Sequence, residues 1–202
     1  MTTKVAQMQY SDIPELKKFI LNDVHKTGTT LGRGAFGVVE ELRMGGTLCA
    51  GKRLHAELLS VYNEKVGIHR TIKRFIEECS LMSKMLHPRV VQFLGLCFFE
   101  DSPYPMLAME KLDVNLETVL ETHKNIPFPL ILHMLQDIAE GLIYLHSQQP
   151  PIIHRDPTAR NVLIDQSSFR AKITDLGYSR LCLADHTKFT HTLTQAPGTL
   201  AS

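Results

Sequence analysis

Hydrophobic and polar positions change period twice along this chain. From Thr29 to Arg53 apolar and polar residues alternate, with Gly45-Gly46 between two of the runs. A period of two belongs to a strand with one buried face, and a Gly-Gly pair between such runs marks a hairpin turn. Three antiparallel strands are predicted, over about 27–34, 36–43 and 47–53. Upstream, Ser11-Asp12-Ile13-Pro14-Glu15 has the form of a helix start, and a short helix to about Leu21 is expected. From Glu64 to Leu86, Ile68, Ile72, Phe75, Ile76, Met82 and Met85 recur at three- and four-residue spacing, which predicts a helix. His87-Pro88 ends it, because the residue before proline is steered out of the helical region. Val90–Phe99 and Met106–Met109 read as two more strands, with Pro103 and Pro105 bracketing their turn.

Beyond Leu112 the helical period dominates. Leu116–Thr122 is a short helix and Leu130–Ser147 a longer one, with Ile131, Leu135, Ile138, Leu142 and Leu145 as its apolar face. Val162–Ile164 and Ala171–Ile173 read as paired strands about a turn at Gln166–Ser168. From Leu176 to Ser202 no period is visible, and a loop is expected. The fold class is α+β: a small sheet with one helix, then a mainly helical part.

Composition narrows this picture little. With 44% hydrophobic and 21% charged residues in 202, a sizeable core is affordable. A net charge of +1 gives no case for nucleic acid or a membrane surface as partner. No apolar run reaches the roughly 18 residues of a membrane span. Cys49, Cys79, Cys97 and Cys182 lack metal-ligand spacing, so reduced thiols and a cytoplasmic location are expected.

The chemistry lies in His154-Arg155-Asp156-Pro157-Thr158-Ala159-Arg160-Asn161 and in Asp175-Leu176-Gly177. Asp156 can accept a proton from an attacking hydroxyl, while Asn161 and Asp175 can offer oxygens to magnesium. Upstream stands Gly32-Arg33-Gly34-Ala35-Phe36-Gly37-Val38-Val39. A dinucleotide fingerprint would open into a helix, whereas here a strand follows, and the Gly-Lys-Ser/Thr of a Walker loop is missing. A glycine-rich hairpin lying over a nucleotide remains, with an ordinary tight hairpin as its rival. Alternation puts Ala50 and Lys52 on one face of the third strand, where a small residue leaves room for adenine and a lysine reaches phosphates. A solvated lysine is the plain alternative. Glu78 shares a helix face with Met82 and suits Lys52 as partner, unless Glu77 and Glu78 both face solvent.

Taken together, LGRGAFGVV, CAGK, the helix Glu78, HRDPTARN and DLG occur in the order of a eukaryotic protein kinase domain, which this chain resembles from about Leu31 to Thr199. The resemblance implies a bilobal fold. Residues 1–26 would be an extension, 27–110 a complete β-rich N-lobe with its C-helix, and 111–202 a partial C-lobe ending in the activation loop. It implies ATP and Mg2+ as cofactors and a protein substrate. Leu31, Gly32, Gly34, Phe36, Gly37, Val39, Ala50, Lys52, Met109, Glu110, Leu112 and Leu163 would bind ATP, with Met109 as gatekeeper and Glu110 to Leu112 as hinge. Lys52 and Glu78 would form the ion pair of the active state, and Asp156 would act on the substrate hydroxyl. Asn161 and Asp175 would hold the metal. Met82, Phe93, Leu176 and His154 would stack as a spine. Arg155 would receive a phosphate from Thr187, Thr190, Thr192 or Thr194.

Thr158 stands where Ser/Thr kinases carry lysine, Ala159-Arg160-Asn161 resembles tyrosine kinases, and Gly198-Thr199 resembles Ser/Thr kinases. The mixture is similar to the tyrosine-kinase-like group and implies transfer to Ser/Thr, or dual specificity. A tyrosine kinase, an ATP-binding pseudokinase and an inactive regulatory fragment are the alternatives. Pro157 departs from the family's leucine and restricts Asp156. The motif order also implies truncation within the activation segment, with the apolar face of Leu130–Ser147 short of cover.

Overall fold

In the computed structural model the described residues are 20–34, 37–54, 79–102, 105–176 and 180–181. Glu78, Phe36 and most of the predicted helix over Glu64–Leu86 lie outside them, as do the N-terminal extension to residue 19 and the four activation-loop threonines.

The alternating segment forms β1 (Val24–Gly34), β2 (Gly37–Met44) and β3 (Thr47–Leu54). They join β4 (Phe93–Cys97) and β5 (Met106–Glu110) in one antiparallel sheet of order β1-β2-β3-β5-β4. Gly45 and Gly46 turn the β2–β3 hairpin with φ of 52° and 89°. Both values suit a tight turn whose twist matches its strands, which is why two glycines stand there.

Directly opposed residues share a sheet face. One face therefore carries the row Val39, Lys52 and Leu107, and beside it the row Glu41, Ala50, Met109 and Phe93. This face enters a large core with Cys79, Met82, Leu145, Ile152, Ile173 and Leu176. That core draws on both halves of the chain, so the two lobes share one hydrophobic centre. Leu42, Cys49, Cys97, Met106 and Ala108 form a separate cluster.

Three boundaries depart from expectation. The strand expected over Val90–Phe99 is confined to Phe93–Cys97, because Val90 and Val91 turn to the other lobe. Val91 N–H donates to Ile173 O at 2.8 Å, and Ile173 N–H donates to Arg89 O at 2.9 Å. The helix expected to reach Leu86 ends sooner: residues 79–82 are helical and 83–84 form a turn. Ile20 and Leu21 lie along β4 instead of closing a helix, with Leu21 N–H donating to Leu96 O at 2.9 Å.

The helical part opens with β6 (Val114–Asn115), α1 (Leu116–Thr122) and α2 (Phe128–His146). Asn115 caps α1, accepting from Thr118 N–H at 2.8 Å. Then follow β7 (Ile152–Ile153), a 3-10 turn over Ala159–Asn161, β8 (Val162–Asp165), β9 (Arg170–Ile173) and β10 (Arg180–Leu181). β6, β8 and β9 form a small sheet, and β7 pairs with β10. Asp165 accepts from Ser167 N–H, Ser167 Oγ–H and Ser168 N–H, which closes the β8–β9 turn. This is a two-lobed α+β fold with a five-stranded N-lobe sheet.

The buried side of α2 is not the face expected. Met134, Asp137, Gly141 and Leu145 are buried, whereas Leu135 is exposed. Asp137 is 1% exposed. Its Oδ1 lies 2.8 Å from Arg89 Nε and 3.2 Å from Arg170 Nη2, and its Oδ2 accepts from Ala171 N–H at 2.9 Å. Two guanidiniums and an amide compensate the desolvated carboxylate. In length and composition α2 would suffice to cross a membrane. Its buried carboxylate, ion-paired to Arg170 of β9 and to Arg89 in the loop before β4, packs one side of it on the C-lobe.

Candidate active site

Asp156 lies on the loop after β7, and its position follows from two neighbours. Asn161 Nδ2 donates to Asp156 O and to Asp156 Oδ2, both at 2.9 Å. Thr158 N–H also donates to Asp156 O at 2.9 Å. Pro157 restricts the backbone of Asp156, and its ring removes one N–H. The loop closes through the N–H of the following residue, so the missing donor is not required, and Asn161 fixes the carboxylate directly.

His154 ties this loop to the other acidic residue. It is buried; its Nε2–H donates to Thr174 O at 2.8 Å, and its Nδ1 accepts from Asp156 N–H at 3.3 Å. Those two bonds select the neutral tautomer with the proton on Nε2. The ring thus sets a distance between the backbone of Asp156 and the residue preceding Asp175, a positioning role. Met82, Phe93 and Leu176, the other expected spine members, are buried in the shared core.

The β8–β9 register completes the site. Val162 faces Ile173, and one step beyond the ladder Thr174 N–H donates to Asn161 O at 2.9 Å. Asn161 and Asp175 are thereby brought to neighbouring positions on two adjacent segments. With Nδ2 engaged on Asp156, the oxygen Oδ1 is the atom Asn161 has for a cation. An amide oxygen and a carboxylate are the hard donors that magnesium takes alongside water and phosphate oxygens, so the pair fits that ion. Asp175 has a φ of 60°.

Lys52 crosses between lobes to meet this carboxylate. Its Nζ lies 2.9 Å from Asp175 Oδ1, with the two side chains 14% and 35% exposed. A third-strand lysine thus reaches the carboxylate that is the candidate metal ligand. Its expected partner Glu78 lies outside the described residues. The adenine-side candidates Val39, Ala50, Met109, Leu112 and Leu163 belong to the same cluster. Leu31 is at the rim, 40% exposed. Gly32, Gly34 and Gly37 lie in the β1–β2 hairpin, where Gly32 faces Val39 and Gly34 faces Gly37. Arg155 is exposed, with a φ of 72°, and its proposed phosphate donors lie outside the described residues.

Residues that sequence reasoning passed over surround the hinge. Glu110 carries contacts through its side chain as well as lying on the hinge backbone: Oε1 accepts from Gln92 N–H at 2.7 Å, and Oε2 accepts from Lys172 Nζ at 2.5 Å. Lys111 lies 3.7 Å from Glu41. Lys172, on the strand that leads into Asp175, gives no sequence signal of its own; only the register reveals its partner.

A glycine-rich hairpin, a cross-lobe lysine, a positioned carboxylate and an Asn/Asp oxygen pair define a two-lobed phosphotransferase fold. The chain belongs to the protein tyrosine and serine/threonine kinase family, which it matches over residues 25–199. Among curated relatives it is 35% identical over 158 residues to the probable serine/threonine-protein kinase drkB of Dictyostelium discoideum, covering 77% of this chain and 21% of that protein. It is 31% identical over 182 residues to the dual specificity protein kinase splA of the same organism, covering 82% of this chain and 7% of the relative. To the human receptor tyrosine-protein kinase erbB-4 it is 34% identical over 162 residues, covering 79% and 12%. The chain therefore spans about a fifth or less of the length of these three relatives.

Proposed function

We propose that this chain carries the nucleotide site of an ATP-dependent protein kinase that phosphorylates Ser and Thr, with dual specificity as the broader form. The observation that carries the reading is Asp156 fixed by Asn161 while Asn161 is laddered to the residue before Asp175. One carboxylate is thereby oriented as a proton acceptor beside a pair of oxygen ligands. In the proposed reaction the substrate hydroxyl oxygen forms a bond to the γ-phosphorus and the bond from that phosphorus to the β-phosphate oxygen breaks. The hydroxyl proton passes to Asp156, and ADP leaves. Lys52 holds phosphate oxygens, and the hinge backbone from Glu110 to Leu112 receives the adenine. Asn161 Oδ1 and Asp175 hold magnesium, which supplies neutralising charge at the phosphates when bound.

Ser/Thr transfer is favoured by the names of the relatives, two of which are a probable serine/threonine kinase and a dual specificity kinase. Thr158 supplies no cation near the transferred group, which leaves tyrosine as the second acceptor to test. A cytoplasmic setting suits the buried thiols of Cys49 and Cys97. The test is incubation with labelled Mg-ATP and a mixed Ser/Thr/Tyr peptide library, followed by phosphoamino-acid analysis. Labelling that falls at least about a hundredfold in Asp156→Ala supports the reading. Equal labelling by wild type and variant removes Asp156 from the chemistry. Nucleotide-dependent thermal stabilisation without labelling indicates a pseudokinase.

A further inference from the structure

The sheet order β1-β2-β3-β5-β4 leaves β1 and β4 at opposite edges. A bare strand edge invites pairing with another chain, so what lies along it matters. Here the residues just ahead of β1 run along β4. Ile20 forms a parallel bridge with Leu96, and Leu21 N–H donates to Leu96 O at 2.9 Å. Val24 then begins β1, opposite Met44 of β2. Between them Asp23 has a φ of 58°, in the left-handed region that Asp enters more readily than most residues, and the chain turns there. The step from Leu21 to Val24 spans about 10 Å at most. Flat strands at ordinary spacing would put the two edges about 19 Å apart. The sheet is therefore curled, and residues 20–24 close its open side.

Side chains fasten this crossing. Leu21 and Val24 pack on the cluster of Leu42, Cys49, Cys97 and Met106, on the sheet face away from Lys52. Two residues further on, Lys26 reaches the turn after β4. Its Nζ donates to Asp101 Oδ1 at 2.8 Å and to Oδ2 at 2.6 Å, and it stands 4.8 Å from the centre of the Phe99 ring. Both oxygens of one carboxylate and one aromatic face thus meet a single ammonium. The lysine side chain is 25% exposed and the carboxylate 68%, so dissolved salt reaches the pair. The segment is therefore held twice, by backbone at Leu96 and by side chain at Asp101, both on β4 and its following turn. The strands it joins flank the candidate nucleotide site. β1 runs into Gly32 and Gly34, and β4 pairs along β5, which ends in Met109 and Glu110.

We propose that residues 20–26 are a strap that closes the N-lobe sheet from β4 to β1, with Lys26 as its latch on Asp101 and Phe99. Closure holds the glycine-rich hairpin and β5 at a fixed spacing over the nucleotide. The chain ahead of residue 20 enters the lobe through this strap, so a pull on that chain acts first on the latch. The coupling to nucleotide rests on the kinase reading; the strap itself does not.

The experiment measures both. Amide hydrogen exchange of the full 202-residue chain without nucleotide reads the strap at the Leu21 amide, with the β3 amides as internal reference. Leu21 should be protected in the wild type. Lys26→Met is expected to speed its exchange about fivefold while the β3 amides keep their rates, the effect of losing one ion pair of good geometry. The reversed pair Lys26→Asp with Asp101→Lys should return Leu21 toward wild type. Sodium chloride at about 1 M should speed Leu21 exchange in the wild type and not in Lys26→Met, and this arm needs no variant that folds poorly. An unprotected Leu21 in the wild type overturns the strap. No response to Lys26→Met, or an equal rise in the β3 amides, overturns the latch. In parallel, dissociation of a fluorescent methylanthraniloyl-ADP with magnesium is followed. Lys26→Met should raise its off-rate by up to about fivefold, if the whole loss is carried to the site. A loosened strap with an unchanged off-rate overturns the coupling. A loosened strap in a chain whose wild type binds no nucleotide upholds the strap and rejects the kinase reading.

Discussion

At the scale of single residues, Asn161 has two tasks that a substitution separates from simple folding. It holds Asp156 through Nδ2, and in the proposed reaction its Oδ1 would be a magnesium ligand. Asn161→Ala removes both, and labelled phosphoryl transfer is expected to fall at least about a hundredfold. Denaturant unfolding should show a much smaller loss, because the backbone bond from Thr174 to Asn161 survives. His87 provides a pH signature. Burial lowers its pKa below the ordinary 6.5, Arg89 adds to the depression and Glu140 opposes it. The ring stacks on Tyr144 with centroids 4.4 Å apart. A histidine whose folded pKa is depressed binds its proton more readily when unfolded. Stability is therefore lost as pH falls below 6.5 toward the folded pKa, and retained above it. In urea titrations at pH 7.5 and pH 5.5, His87→Gln should show a smaller loss on acidification than wild type. An equal loss would assign the acid sensitivity to other groups. The Cys97 thiol, pushed up to about 12 by burial with Cys49 adding, should stay unreactive to alkylating reagents in the folded chain.

At the scale of elements, α2 shows both what the sequence reveals and where it stops. The helix, its length and its short partner α1 follow from three- and four-residue spacing, and the two-residue alternation yields the β1–β2–β3 meander. Which side of α2 is buried does not follow. Its apolar residues run round most of the circumference, and the buried arc carries Asp137 and Gly141 in place of large hydrophobes. Those two are there because of neighbours remote in sequence. A Cβ on Gly141 would stand 2.8 Å from Arg89 O and 2.8 Å from Ile173 Cδ1. Gly141→Ala should therefore destabilise by about 1–3 kcal/mol despite the better helix propensity of alanine. A measured gain in stability would show that the β9 contact yields freely. Asp137→Asn should cost about 3 kcal/mol in chemical denaturation, because two guanidiniums lose their shared carboxylate, although Glu140 remains 3.1 Å from Arg89. The active-site motifs were legible for a related reason: His154, Asp156, Asn161 and Asp175 act through short sequence spacings across one hairpin. The ion pairs of Glu110 with Lys172 and of Lys111 with Glu41 were not, since each joins residues brought together by a register that no local pattern encodes.

At the scale of the whole molecule, the shared core makes the lobes one body, while the far side of α2 is left bare. Phe128, Leu132, Leu135 and Ile143 are 68%, 50%, 56% and 67% exposed, and helical spacing lines them along one stripe opposite Met134, Asp137, Gly141 and Leu145. The exposed stripe is not the apolar face expected from the sequence: of Ile131, Leu135, Ile138, Leu142 and Leu145, Leu135 alone belongs to it, and Leu145 is buried. Soluble proteins seldom expose so continuous an apolar stripe, and such a surface binds apolar dyes and promotes association. The chain should therefore enhance anilinonaphthalene sulfonate fluorescence in its folded state and show concentration-dependent light scattering. The double variant Leu132→Lys with Leu135→Glu should reduce both signals. Since neither side chain is in the buried arc, its unfolding free energy should stay within about 1 kcal/mol of wild type. A large fall in stability would mean that these leucines are covered in solution, and undiminished dye binding would place the apolar surface elsewhere on the molecule.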